Sequence, residues 1–345
     1  MGKGNIIGLT IKDLEGVLAD WKQESFRARQ VFSWVYKRGI ADFATMSDLP
    51  VELRKLLKDK FYIFGSNLVK TLKSKDGTEK LLFALSDGNF IETVTIPTEK
   101  RLAACLSTQV GCKFKCSFCA SGMLGWRRNL TCGEIIEQIL YLKNNSATKK
   151  ITHLVFMGIG EPLDNYDNLI KAIRIINLPY GLHIGARRIT ISTCGIIPGI
   201  KRLAEEGLQI ELSISLHAAD DKTRSQIMPI NKKYPLDVLL KTCQEYIKRT
   251  NRQITFEYIL VKGINSDLQN AKNLSKILSN LRLCKVNLIP ANIIWERDIE
   301  PPNKLEILLF RDYLLKHGIN VTLRRPRGAD IDAACGQLRL KYDKY

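Results

Sequence analysis

The sequence lacks any run of about 18 apolar residues, the length a membrane-spanning helix needs. The opening residues, Met1 to Ile7, carry no apolar export segment, and Ile6 stands where myristoylation would require Ser or Thr. The expectation is a cytoplasmic chain. Prolines are few, 11 in 345 residues, while 45% of residues are hydrophobic, which excludes a disordered protein. There is no low-complexity tract and no internal repeat beyond an alternation of strand and helix patterns. The length suits one enzyme-sized domain with an appendage.

Acidic residues are also under-represented, leaving a formal net charge of +18. The excess is spread in pairs, such as Arg127-Arg128, Lys149-Lys150, Arg187-Arg188 and Lys232-Lys233, with a denser group at Arg324, Arg325 and Arg327. Any one pair is accounted for as a solvated helix face. The total is the electrostatic footprint of a polyanion binder, and nucleic acid is the obvious partner. Nine cysteines in a chain without an export segment read as reduced thiols, metal ligands or catalysts rather than disulfides.

Apolar periodicity predicts helices from Thr10 to Trp21, from Ser25 toward Gly39, and from near Pro50, giving a helical module over residues 1–64. It could dock RNA or serve as a structural cap. Residues 65–100 alternate short strands with turns at 74–77 and 86–89, a small antiparallel meander. Glu92 lies in its last strand, facing either inward or outward. From 101 to 345, strands at 103–109, 151–157, 188–193, 209–215, 254–261, 285–289 and 320–323 alternate with helices at 134–142, 169–176, 200–205, 236–248, 268–281 and 304–317. Such units imply a parallel α/β sheet with right-handed crossovers, here an open, partial TIM-like barrel.

In parallel α/β sheets chemistry gathers at the carboxyl ends of the strands. That rule selects the loop Cys112–Cys119, the turn GIGEP at 158–162, STCG at 192–195, SISLHA at 213–218 and IPAN at 289–292. The first is Cys-x3-Cys-x2-Cys, formed by Cys112, Cys116 and Cys119. Clusters usually take four thiolates, and a cubane held by three leaves one iron open to a chelating ligand such as S-adenosylmethionine. Structural zinc prefers four ligands, often two Cys-x2-Cys knuckles, and no second knuckle occurs. In the next turn, glycines let backbone approach a ligand, and Glu161 can accept a hydrogen bond from an ammonium group.

The stretches FRARQ at 26–30, IETVTIP at 91–97, CLSTQVGC at 105–112, RNL at 128–130, MGIGEP at 157–162, SLHA at 215–218, MPIN at 228–231 and DIDAACGQL at 330–338 extend this pattern over nearly the whole chain. Together they resemble the radical S-adenosylmethionine RNA methyltransferases of the RlmN type. The resemblance implies one [4Fe–4S] cluster on Cys112, Cys116 and Cys119, and two S-adenosylmethionines per turnover held by Gly160, Glu161, Ser192, Ser215, Leu216, His217 and Asn292. It implies that Cys335 is methylated first and carries the carbon to C2 of an adenine, that Cys105 releases the product by forming a disulfide, and that Glu92 accepts a proton. The implied substrates are 23S rRNA and tRNA, the implied electron donor is of the flavodoxin type, and a monomer is expected.

By residue type alone, His217 is more often a hydrogen-bonded core residue, and Cys132, Cys194, Cys243 and Cys284 read as small buried hydrophobes. The segment 293–302 departs from the family in lacking a Pro-x-Gly turn. A related branch that methylates C8 of the same adenine typically has Ala at the position of Pro162 and lacks the Ile-Pro-x-Asn pattern, so C2 is the expected target. The alternative from another class is an RNA-binding protein with structural zinc.

Overall fold

The computed structural model describes residues 2–123, 125–145, 150–292, 299–334 and 336–338. No helix among them is long and apolar enough to cross a membrane. The N-terminal module contains α1 (Ile11–Asp20), α2 (Phe26–Ser33) and α3 (Val51–Lys60), bracketed by a parallel pair, β1 (Gly4–Asn5) and β2 (Phe61–Tyr62). A capping box starts α1: the Asp13 amide donates to Thr10 Oγ1, and the Thr10 amide to Asp13 Oδ2. Leu14 and Leu18 of α1 pack on Ala28, Val31 and Phe32 of α2, the buried faces that three-and-four spacing requires. The chain continues from α2 through a π turn, Trp34–Arg38, which ends at Gly39.

Among the described residues the main sheet has ten strands, ordered β14-β13-β12-β11-β10-β9-β6-β5-β4-β3. Its antiparallel half comprises β3 (Asn67–Lys73), β4 (Glu79–Ala84) and β5 (Phe90–Pro97), which pairs with β6 (Leu102–Cys105). A hairpin of β7 (Gln109–Gly111) and β8 (Trp126–Asn129) follows, then α4 (Cys132–Asn145). The parallel half runs β9 (His153–Phe156), α5 (Tyr166–Asn177), β10 (Ile189–Thr193), α6 (Ile197–Leu203) and β11 (Glu211–Ser215). It continues with α7 (Asp221–Ile227), α8 (Leu236–Thr250), β12 (Ile254–Leu260), α9 (Leu268–Leu278), β13 (Cys284–Pro290), α10 (Lys304–Lys316) and β14 (Val321–Leu323). β3 and β14 are not paired with each other, so the barrel is open, as expected from sequence.

Three details differ from the sequence reading. The strand expected over 103–109 stops at Cys105: the Leu106 amide still bonds the Val155 carbonyl of β9, but those of Thr108 and Gln109 turn to the carbonyl of Ile159. Residues 221–227 form α7, too short for a periodicity argument, and it is capped by Asp220, whose side chain accepts from the Thr223 amide. The meander is continuous with the parallel strands through β5 and β6. The N-terminal module is stapled to the sheet domain by Glu137 of α4, which is fully buried and accepts from Asn5 Nδ2 at 2.6 Å and from the amides of Gly65 and Ser66 at 3.0 and 2.8 Å.

Candidate active site

The cysteine loop is the turn of the β7–β8 hairpin, and its position is fixed from underneath. Gln109 accepts the Glu161 amide at 2.9 Å through Oε1 and donates through Nε2 to Asp164 Oδ2 at 2.9 Å. One side chain thereby ties the loop to the GIGEP turn. Gly160 sits at φ +104, and a Cβ there would come within 2.6 Å of Gln109 Cβ, so only glycine allows this contact.

Above these turns, at the carboxyl ends of the strands, lies a cavity of about 160 Å³. Its lining includes Cys112, Cys116 and Cys119 together with Gly160, Glu161, Ser192, Ser215 and His217. Sequence reasoning selected all eight, and the fold brings them together from β7, β9, β10 and β11. Leu216, also selected, is not among the lining residues: its side chain is in the main core, and its backbone bonds to Glu257 and Arg224. Asn292 lines an adjoining chamber with Cys105, Cys119, Met157, Ala334 and Gly336.

Burial governs the electrostatics. The Glu161 carboxyl is pushed up by desolvation, against which the amides of Cys194 and Leu163 donate to its oxygens at 2.8 and 3.0 Å. Burial drives the Cys112 thiol up to about 12, and Cys116 well above the ordinary range, with the neighbouring cysteines adding to both. Buried as they are, Cys112 and Cys116 ionise only when a cationic centre supplies the missing charge. Among the described residues no three His, Cys, Asp or Glu side chains converge tightly enough for a single metal ion.

His217 is neutral: burial, and then the charge of Arg224, lower its pKa to about 3. Its Nδ1 accepts the Ile259 amide at 3.0 Å, so the proton resides on Nε2. The ring meets Phe118 edge to face, with centroids 4.5 Å apart, and the backbone holds a left-handed φ of 60. This is a hydrogen-bonded buried histidine that also lines the cavity.

The chain matches the model of the Radical SAM superfamily over residues 106–274 and that of the Ribosomal RNA large subunit methyltransferase N-terminal domain over residues 4–63. It is 47% identical over 339 residues to a probable dual-specificity RNA methyltransferase RlmN of Clostridium novyi (strain NT), covering 98% of each chain. The chain belongs to the RlmN family of radical SAM RNA methyltransferases. A similarly described relative from Geobacillus kaustophilus (strain HTA426) is 46% identical, the alignment covering 99% of this chain and 93% of that one. The crystal structure of a radical SAM methyltransferase from Sphaerobacter thermophilus superposes with a TM-score of 0.94 at 41% identity, over 97% of this chain and 99% of that one.

Membership of the radical SAM superfamily brings a [4Fe–4S] cluster and S-adenosylmethionine, and a cavity lined by three cysteines, two of them buried thiols in need of positive charge, fits them. The other residues expected in an RlmN-type site lie on the neighbouring part of the sheet. Cys105 of β6 is buried opposite Val94 of β5, within a small apolar cluster that includes Ala333 and Leu338. Glu92 shares that sheet face, two residues from Val94, which settles its direction: it points inward, beneath the C-terminal segment. It lines a separate well rather than the chamber of Cys105. Cys335 lies outside the described residues, as do 293–298 of the atypical segment.

Two charged residues escaped sequence reasoning. Arg224 of α7 is fully buried and donates to the carbonyls of Cys194, Ser215 and Leu216 at 2.9, 3.1 and 3.0 Å and to Asn231 Oδ1 at 2.9 Å. It binds the ends of β10 and β11 into one rim. Lys80 of β4 forms a buried ion pair with Glu92, its Nζ 3.3 Å from Oε1. An arginine and a lysine in an already basic chain give no local signal of burial.

Proposed function

We propose that this chain methylates C2 of an adenine in 23S rRNA and of an adenine beside the anticodon of tRNA, through a methylated Cys335. The observation that carries the reading is the shared chamber: Ala334 and Gly336, the neighbours of Cys335 in sequence, line it with Cys105 and the cluster ligand Cys119. C2 of adenine is electron-poor and bears no acidic proton, so a carbon radical rather than a nucleophile must be delivered to it.

Cys112, Cys116 and Cys119 would hold the cluster, which would supply, with S-adenosylmethionine, the hydrogen-abstracting radical and an acceptor for one electron. The S-methyl of Cys335, installed by a first S-adenosylmethionine, loses a hydrogen atom, and its carbon adds to C2. Once the adduct has given up that electron, Glu92 accepts the C2 proton and aromaticity returns. The Cys105 thiolate then attacks the Cys335 sulfur; the S–C bond breaks, the carbon leaves with the electron pair and takes a proton, and a disulfide forms. A thiol-class reductant restores both cysteines. Cofactor-contacting roles go to Gly160, Glu161, Ser192, Ser215 and His217, with Leu216 acting through its backbone and Asn292 from the adjoining chamber.

The matched N-terminal region and the net charge of +18 support an RNA-docking role for residues 1–64, with 65–100 as the meander and 101–345 as the radical domain. A flavodoxin-type donor, a monomeric state and a cytoplasmic location complete the proposal. Nucleoside mass spectrometry of RNA reacted with anaerobically reconstituted protein tests it: 2-methyladenosine is expected, whereas 8-methyladenosine assigns the chain to the C8 branch. Retention of activity in Cys335→Ala overturns the cysteine route.

A further inference from the structure

The ion pair of Lys80 and Glu92 has a third member. Lys80 Nζ also donates to the backbone carbonyl of Asp332, at 3.1 Å. Both side chains are almost entirely buried, Lys80 at 7% and Glu92 at 5% exposure. They sit diagonally on one face of the β4–β5 ladder, where Lys80 is opposite Val94 and Glu92 opposite Leu82. Val94 in turn is opposite Cys105.

The same edge of the meander grips the same segment at other points. In the turn before Lys80, Ser74 Oγ donates to Asp330 Oδ1 at 2.6 Å, the Lys75 amide to Asp330 Oδ2 at 3.2 Å, and the Gly328 amide to Asp76 Oδ2 at 3.1 Å. Gly328 takes a left-handed φ of +64, and the Ala333 amide closes back on its carbonyl at 2.9 Å. Residues 328–333 are thus folded against the β3–β4 turn, with Lys80 at the inner end of the contact.

We infer that Lys80 is a positioning residue for the second half of the reaction, holding Glu92 as an oriented carboxylate while anchoring the segment that leads to Cys335. A carboxylate this deeply buried needs a countercharge to stay ionised, and an ammonium at 3.3 Å supplies it. Only an ionised carboxylate can accept a proton. The backbone bond to Asp332 links that base to the segment that runs toward Cys335 in sequence, so one cation holds both the base and that segment. Lys70, Asp330 and Asp332 line the same well and complete its charged surroundings. This assignment rests on the proposed methyl-cysteine route.

The test compares Lys80→Met and Lys80→Arg in reconstituted full-length protein supplied with S-adenosylmethionine, reductant and a 23S rRNA fragment. In Lys80→Met, methylation of Cys335 and formation of 5′-deoxyadenosine continue, methyladenosine falls by about 10²-fold, and covalent protein–RNA species accumulate. Lys80→Arg restores the product, and Glu92→Gln reproduces the stall. Hydrogen exchange over 327–334 rises in Lys80→Met and returns in Lys80→Arg. The assignment is overturned if Lys80→Met forms product at the unsubstituted rate, or if it loses cysteine methylation, 5′-deoxyadenosine and product in parallel with no rescue by Lys80→Arg. Absence of a methylated Cys335 peptide from the unsubstituted chain overturns the route instead, and the exchange measurement then decides the anchoring role by itself.

Discussion

The amide of Ala120 donates to the carbonyl of Gly336 at 2.7 Å, joining the end of the cysteine loop to the residue that follows Cys335. Gly336 has a φ of +81, and a Cβ placed on it would lie 2.6 Å from the carbonyl oxygen of Phe118. Backbone on both sides leaves no flexible atom to yield. Gly336→Ala is therefore expected to displace the segment from the loop without disturbing the thiols, lowering RNA methylation by about 10²-fold, since a shift of about 1 Å is enough for such a loss. Iron content and cleavage of S-adenosylmethionine should stay unchanged, as anaerobic iron analysis and 5′-deoxyadenosine assays will check.

Replacing Cys116 with Ala should abolish cluster binding. The loop is held by Gln109 and by backbone bonds, including Ser117 to Ile227 at 2.9 Å, so the fold should survive. Iron is expected to fall from about four per chain to near zero, with the brown colour lost and the far-ultraviolet circular dichroism retained. Retention of a full complement of iron would remove Cys116 from the ligand set.

His217 makes stability depend on pH. Its folded pKa is about 3 against an ordinary value of 6.5, because burial and Arg224 oppose the charged ring. Between these values the unfolded chain binds a proton that the folded chain does not. Stability is therefore lost as pH falls from about 6.5 toward 3, with a slope of up to about 1.4 kcal/mol per pH unit from this one site. Urea unfolding of cluster-free protein at pH 7.5 and 5 should show this slope in the native sequence and a shallower one in His217→Gln.

Glu137→Ala should loosen the N-terminal module. The substitution leaves the amides of Gly65 and Ser66 and the side chain of Asn5 without their shared acceptor. Stranded buried donors cost about 1–3 kcal/mol each, less whatever water recovers, so a total near 3 kcal/mol is expected in chemical denaturation. Limited proteolysis should cut near residues 63–67 before it attacks the sheet.

Much of the architecture was legible because periodicity and turn residues are local properties. The alternating strands and helices yield the open barrel, and the strand-end rule selects Cys112, Gly160, Ser192 and His217, which line one cavity. Pairing across the sheet is not local. The inward direction of Glu92 follows from the β4–β5 register, which no single stretch encodes, and its lodging in a separate well follows from where residues 330–332 return. Arg224 was missed for a similar reason: its four acceptors come from positions 194, 215, 216 and 231. Leu216 lies inside a recognisable motif, yet its side chain serves the core while its neighbours on either side line the cavity.

The clamp between the β3–β4 turn and the C-terminal segment joins positions 256 residues apart. Contacts of such separation form late, since the intervening chain must be ordered before its ends can meet. During synthesis the N-terminal module, the meander and the cysteine loop all leave the ribosome before Asp330 exists. Closure over Cys105 and Glu92 thus waits for residues 328–338, and a translation product truncated before them would carry the cluster loop without the segment that closes the chamber beside it.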